Sequence, residues 1–177
     1  MFIFLQVLAG WLYGHFFEYA AHRWVFHNPK LKGAFKFHNA QHHARSRKGC
    51  MTDVMSFNKI DFKDRELRYL CLALATHSPL ALLFPFFYAA LVYSAAAYYL
   101  THRRAHRDHE WARKNVPWHY DHHMGFSSTT NWAVRLPIFD YLLGSRKVYK
   151  GSESEVIRYN NYVKWGKYAI RPHRHDS

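Results

Sequence analysis

The chain opens on an apolar stretch, residues 2–21 (FIFLQVLAGWLYGHFFEYAA), broken by Gln6, His15 and Glu18. As a helix rising about 1.5 Å per residue it is about one bilayer crossing long. A secretory signal would lead with positive charge and end in a small-residue cleavage site. Neither is clear here, so the pattern predicts a retained anchor whose polar residues turn one face toward protein. A second apolar run, Leu67–Leu100, exceeds one crossing and contains Pro79 and Pro85, where a helix breaks or kinks, so it predicts a helical hairpin. Beyond it, residues 101–114 predict a helix, Pro117 interrupts, and 118–143 predict short helices or turns. Residues 153–168 predict an interfacial helix with Ile157, Tyr162, Val163 and Trp165 as apolar contacts, followed by a loose tail carrying His173 and His175. The expected fold class is all-α, a compact integral membrane helical domain with about three membrane-spanning helices.

Charge follows the same segmentation. No Lys or Arg occurs in residues 1–22 or between Tyr69 and His102, whereas 11 lie in residues 23–68 and 14 in residues 103–177. This is the layout of cytoplasmic flanks around membrane segments, so the net charge of +13 is read as topology, with no nucleic-acid partner. Helix parity then brings the regions before and after the hairpin to one side, and the expected location is an integral membrane protein with its site on the cytoplasmic side. A length of 177 residues suits one folded unit, divided as a metal domain over 1–150 and a C-terminal interfacial segment and tail over 151–177. Cys50 and Cys71 form no disulfide framework or short-spaced metal pair, and Cys71, inside the apolar run, reads as a small buried residue.

Fifteen histidines are the compositional anomaly. Ten of them fall in four clusters outside the apolar segments: His22 and His27; His38, His42 and His43; His102 and His106; His119, His122 and His123. A five-residue step, as from His22 to His27, joins one metal only if the helix ends, bulges or bends. His38 and His42 share an ordinary helical face and His43 points elsewhere, which suggests two metal positions. His102 and His106 pair on one helix, with His109 as a competitor, and His119 converges with one or both members of the His122–His123 doublet. Ten neutral ligands exceed a single catalytic zinc site and fit two adjacent metals with open positions. The His-Glu-x-x-His arrangement of zinc proteases is absent. Imidazole also suits zinc, copper and nickel, so zinc is expected as a non-native substitute. Iron is preferred where the chemistry is oxidation of an inert carbon–hydrogen bond.

The histidine set, with HRWVFH beside the first apolar segment, HNAQHH, HYDHH after the returning helix, and Asp140–Ser145 downstream, resembles the fatty acid hydroxylase/sterol desaturase superfamily over roughly residues 11–146. The spacing looks closest to fatty acid and sphingolipid 2-hydroxylases. The resemblance implies an integral membrane enzyme with two Fe ions that activates dioxygen against a fatty acyl lipid, sterol or related hydrophobe. It also implies a separate electron-donor protein and the membrane as partners.

The function expected is therefore hydroxylation of a carbon–hydrogen bond. Desaturation of an acyl lipid or sterol is one alternative, and a non-catalytic membrane metal-binding or transport protein another. Transport would place polar groups within the apolar segments, where His77 is the exception to their position at the segment ends. Glu18, four residues before His22, and Asp121, inside the fourth cluster, are the carboxylates expected to assist catalysis by orienting ligand rings. Asp108, Glu110 and Asp140 are further candidates. Trp24, Phe26, Trp118, Phe126 and Trp132 are candidates to line a lipid entrance or to anchor at a headgroup boundary.

Overall fold

The computed structural model of the protein describes residues 1–53, 60 and 62–164, with the backbone alone for 162–164. Trp165, His173 and His175, and the side chains of Tyr162 and Val163, lie outside the described residues. All the regular structure described is helical.

The N-terminal helix, Phe2–Ala21, packs along the Pro85–Ala105 helix. Bare glycines permit the approach. A Cβ on Gly10 would lie 2.5 Å from the Phe87 carbonyl oxygen and 2.9 Å from the Ala90 Cβ, and one on Gly14 would lie 2.5 Å from the Ser94 Oγ. Gly10→Ala is expected to force the helices apart and cost about 1–3 kcal/mol, read as a lowered thermal midpoint. Gly33→Ala, with nothing within 4 Å of its added carbon, is the matched control; its midpoint should hold or rise, since alanine favours a helix by up to about 1 kcal/mol. Equal losses in the two variants would remove the packing explanation.

The second apolar run folds as two antiparallel legs, Arg65–His77 and Pro85–Ala105, around a short Leu80–Leu83 turn of helix. Asp64 caps the first leg by accepting from the backbone N–H groups of Glu66 and Leu67 at 2.8 and 3.4 Å. Pro85 opens the second, where its missing N–H costs nothing. Tyrosines lock the register: Tyr88 donates to the Leu74 carbonyl at 3.1 Å, Tyr98 to Glu66 at 2.7 Å and Tyr99 to Asp64 at 2.7 Å. This register sets Glu66 opposite the turn that carries His102.

About three membrane-spanning helices were expected, and the structure corrects this. Among the described residues no helix is long and apolar enough to cross a membrane. The Arg65–His77 leg has 13 residues, about 20 Å at the helical rise against a hydrocarbon thickness of about 30 Å. The N-terminal helix is diluted by Gln6, Gly10, Gly14, His15 and Glu18, all buried, and the Pro85–Ala105 helix ends in His102, Arg103 and Arg104. The assignments built on crossings fall with them: the integral membrane location with a cytoplasmic site, the membrane as a partner, and the integral-membrane description attached to the resemblance. What unites the early and late histidines is helix packing, not parity of crossings.

An apolar cluster of Cys50, Met51, Ala105, Ala112, Val116, Tyr120, Met124 and Tyr149 joins the end of the long helix to the His109–Asn115 and Pro117–Met124 helices. Cys50 is buried in it and Cys71 is exposed, reversing the expected burial of Cys71. The Glu153–Lys164 helix attaches through polar contacts, Arg113 to Glu155 at 2.7 Å and Arg158 to the Met124 carbonyl at 2.7 Å.

Candidate metal centre

Two widened helical turns arrange the early histidines. His22–Phe26 is π-helical, with the His27 N–H bonded to the His22 carbonyl at 3.2 Å, and Lys36–His43 is π-helical as well. Bonding five residues apart places His22 with His27, and His38 with His43, on common faces. An ordinary helix would instead have paired His38 with His42. The histidines consequently sort into two groups. His22, His27, His38, His43 and His122 form one, and His42, His102, His106 and His123 the other, with the ligand-competent nitrogens of each group within 4.8 Å of one another. The doublets His42–His43 and His122–His123 each send one ring to each group. His119 stands beside the second, its Nε2 3.1 Å from that of His106. His109 faces away and bonds Glu110 at 3.0 Å.

The outer nitrogens show that these rings suit a cation. His22 Nδ1 lies 2.5 Å from the Trp132 carbonyl oxygen, His122 Nδ1 2.6 Å from that of Thr130, and His106 Nδ1 2.7 Å from that of Met51. A carbonyl only accepts, so each neutral ring carries its proton at Nδ1 and presents a lone pair at Nε2. His102 Nδ1 likewise donates to Glu66 at 2.5 Å and His42 Nδ1 to Asp53 at 3.0 Å. The inward atoms then meet lone pair to lone pair: His102 and His106 Nε2 are 3.1 Å apart, with no proton left to lie between them. A divalent ion between such rings satisfies both. Carboxylate- and carbonyl-anchored imidazoles of this kind are what metal sites use to fix ring orientation.

Electrostatics act in the same sense. Burial first, then neighbouring imidazoles, lowers the pKa of His22, His38, His43, His106, His119, His122 and His123 well below the ordinary value. His27 is brought down to about 4 by the same causes. In His42 burial also wins, although the hydrogen bond it donates to Asp53 opposes it. The rings are therefore neutral, the form that binds metal. Two histidine clusters able to coordinate divalent metal ions face each other in the interior.

Strained backbone lies at or beside all three carbonyl acceptors. Cys50 and Met51 adopt φ of 49° and 76°, a left-handed turn that points the Met51 carbonyl at His106 while Asp53 N–H bonds the His106 carbonyl at 2.9 Å. Asn131, at φ 60°, sits between Thr130 and Trp132, whose carbonyls bracket the first group. Such conformations cost about 1–3 kcal/mol each and persist where the surroundings over-determine them.

Glu18 and Asp121, the two carboxylates expected at the ligand rings, are committed to other partners. Glu18 accepts from the backbone N–H groups of Val134 and Arg135 at 2.6 and 2.9 Å and pairs with the Arg135 Nε at 2.6 Å. Asp121 pairs with Arg146 at 2.7 Å and accepts from Lys150 N–H at 2.7 Å. Asp140 accepts from the N–H groups of Trp132 and Ala133, both at 2.8 Å, and from the Ser145 hydroxyl at 2.7 Å. Glu18 and Asp140 thus pin the 132–135 segment whose Trp132 carbonyl orients His22. Asp108 caps the His109–Asn115 helix. The ring-orienting carboxylates are Asp53 and Glu66, which the sequence reading passed over.

A cavity of about 320 Å³ opens beside the first group, lined by His22, Val25, Phe26, Glu66 and Tyr98 at the metal end and running between the N-terminal helix and the hairpin to Tyr13, His77 and Leu91. Its walls are overwhelmingly apolar. Of the aromatic candidates Phe26 lines it, Trp132 packs against His22, His27 and His122, Trp118 bonds the Val134 carbonyl at 2.9 Å, and Trp24 and Phe126 are exposed.

Two groups of convergent, outwardly anchored histidines in a helical protein are consistent with a site for two metal ions. Residues 7–145 match the family described as fatty acid hydroxylase, and the chain belongs to that family. No curated protein and no solved structure matches it. The family and the clusters support oxidoreductase chemistry. The match gives the family and no branch within it, so the closeness to 2-hydroxylases is not carried further.

Proposed function

We propose that the protein is an oxygenase that hydroxylates a carbon–hydrogen bond of a fatty acyl or related hydrophobic substrate, using two iron ions, dioxygen and externally supplied electrons. The observation that carries the reading is the juxtaposition of two imidazole groups with lone pairs fixed inward and an apolar cavity ending at His22. One ion would be held by His22, His27, His38, His43 and His122, the other by His42, His102, His106 and His123 with His119 alongside. When bound, the iron pair supplies the reduction of dioxygen, one oxygen atom entering the substrate and the other leaving as water with two electrons and two protons. The chain's own part is to keep the rings neutral by burial, to hold their orientation through Glu66, Asp53 and the three carbonyls, and to align an apolar chain beside them without bulk water. Glu18 and Asp121 serve as positioning residues, the first through the 132–135 segment and the second through Arg146 and Lys150.

The test is anaerobic loading with iron(II), reduction, exposure to isotopically labelled dioxygen and mass spectrometry of a panel of acyl and polycyclic hydrophobes. One labelled oxygen per product is expected. Loss of two hydrogens would replace hydroxylation by desaturation at the same centre. Neither change, with two reduced irons retained per chain, would overturn the reading.

A further inference from the structure

The cavity holds polar groups at three levels, and they differ in how they are used. At the far end the Tyr13 hydroxyl lies 2.9 Å from His77 Nε2, and His77 Nδ1 lies 2.7 Å from the Ala73 carbonyl, so this pair is satisfied internally. At the metal end Tyr98 and His102 both donate to Glu66 Oε1. Between them Ser94 is only 3% exposed, lines the cavity, and has no hydrogen-bond partner for its hydroxyl. A buried hydroxyl normally finds at least a helix carbonyl, so a partnerless one on a cavity wall points to a ligand. Beside it stands Arg135. A Cβ on Gly14 would be 2.5 Å from the Ser94 Oγ and 3.7 Å from an Arg135 terminal nitrogen, so the bare glycine lets the hydroxyl sit against the N-terminal helix close to the guanidinium, and all three residues line the cavity. Arg135 reaches Glu18 through its backbone N–H and Nε. Among the described residues its terminal nitrogens donate to nothing.

We infer that Ser94 and Arg135, around the bare Gly14, form a specificity subsite that receives a neutral oxygen of the substrate, a hydroxyl or carbonyl, about two helical turns from the metal ligands. The spacing follows from the chain. Gly14 precedes His22 by eight residues and Ser94 precedes His102 by eight, in each case about 12 Å at the helical rise. Charge selects the neutral oxygen over a carboxylate. Among the described residues that line the cavity the one Lys or Arg is Arg135, and it is already matched by Glu18 at 2.6 Å. Glu66 adds a second carboxylate to the same walls, its Oε2 without a partner. A carboxylate head would bring a third negative group to a single guanidinium in a low-dielectric space, whereas a hydroxyl or carbonyl takes the free donors with no charge to desolvate. As a binding site the subsite stands alone; that it sets which carbon is oxidised rests on the oxygenase reading.

The test measures binding and product separately on the full chain loaded with iron(II) under anaerobic conditions. Titration with 1-dodecanol, dodecane and dodecanoate, followed by intrinsic tryptophan fluorescence, should rank the alcohol about five- to tenfold tighter than the alkane, the worth of one or two neutral hydrogen bonds, with dodecanoate weakest. Ser94→Ala, which alters little volume, should bring the alcohol to the affinity of the alkane and leave the alkane unchanged. Arg135→Lys, which keeps the charge opposite Glu18 but loses the fork, should lower the alcohol preference in part. Equal binding of alcohol and alkane by the unaltered chain, tightest binding of dodecanoate, or an undiminished alcohol preference in folded Ser94→Ala would each overturn the subsite. On dioxygen exposure the unaltered chain should oxidise the alcohol at one dominant position and Ser94→Ala at a spread of positions. Binding as expected with no oxidation leaves the subsite standing and refutes the oxygenase reading; oxidation without the preference does the reverse.

Discussion

Acidification of the metal-free protein from pH 7 to pH 5 is expected to unfold it completely. The group whose burial defines the centre is also its acid weakness. In the folded state His22, His38, His43, His106, His119, His122 and His123 resist protonation because burial and mutual repulsion hold their pKa values well below the ordinary one. In the unfolded chain they titrate near 6.5. Below that pH the unfolded state binds protons that the folded state does not, so stability rises with pH: it is fully present above about 6.5 and is lost as the pH falls. Each such histidine contributes about 1.4 kcal/mol per pH unit, and seven acting together approach about 10 kcal/mol per unit. Against a typical domain stability of about 5–15 kcal/mol, the transition should finish within one to two pH units below about 6.5. Bound metal requires the same neutral rings and stabilises the folded state by mass action, so the metal-loaded protein should unfold at lower pH. Circular dichroism against pH, with and without iron(II), reads both. A metal-free protein still fully helical at pH 4 would show that the buried rings accept protons in place.

The same burial explains how much of the centre was legible beforehand. The four clusters and the helical hairpin stand in the sequence as spacing and apolar run length. The partition of ligands does not, because ordinary helical periodicity pairs His38 with His42, and a π-helical turn is what moves His38 to His43. Nothing in KFHNAQHH encodes that turn apart from the burial of three imidazoles. The carbonyls of Met51, Thr130 and Trp132 carry no residue signature at all. Glu66 was within reach: antiparallel legs meeting around Pro79 and Pro85 bring the start of the first beside the end of the second, where His102 lies. Asp53, eleven residues after His42 and held there by Arg45 at 3.0 Å, had no periodic cue. The membrane reading failed on a different ground. Apolar length follows the whole run of residues, whereas Pro79 and Pro85 divide the second run into a 13-residue leg too short to cross and a 21-residue leg that ends in His102, Arg103 and Arg104, and the buried polar positions of the first run lower its hydropathy.

The second large effect concerns the partition itself. His106→Ala removes a ring from the group of His42, His102 and His123, and His22→Ala one from the other group. Each is expected to lower bound divalent metal from two ions per chain to one, leaving the remaining ion at close to its original affinity. Loss of both ions from either variant, in a chain whose helicity is unchanged, would mean that the groups form a single undivided site. Glu66→Gln makes the finer version of the experiment. The amide preserves volume but removes the charge that keeps the His102 proton at Nδ1, 2.5 Å away. Such outer partners are worth about 10–100-fold in metal affinity. The loss should fall on the ion held by His102 and spare the one held by His22, whose ring answers to the Trp132 carbonyl. Competition titration with a chelator, resolving two affinities, distinguishes the two cases. A Glu66→Gln chain with both affinities intact would show that the imidazole neighbours alone hold His102 in place.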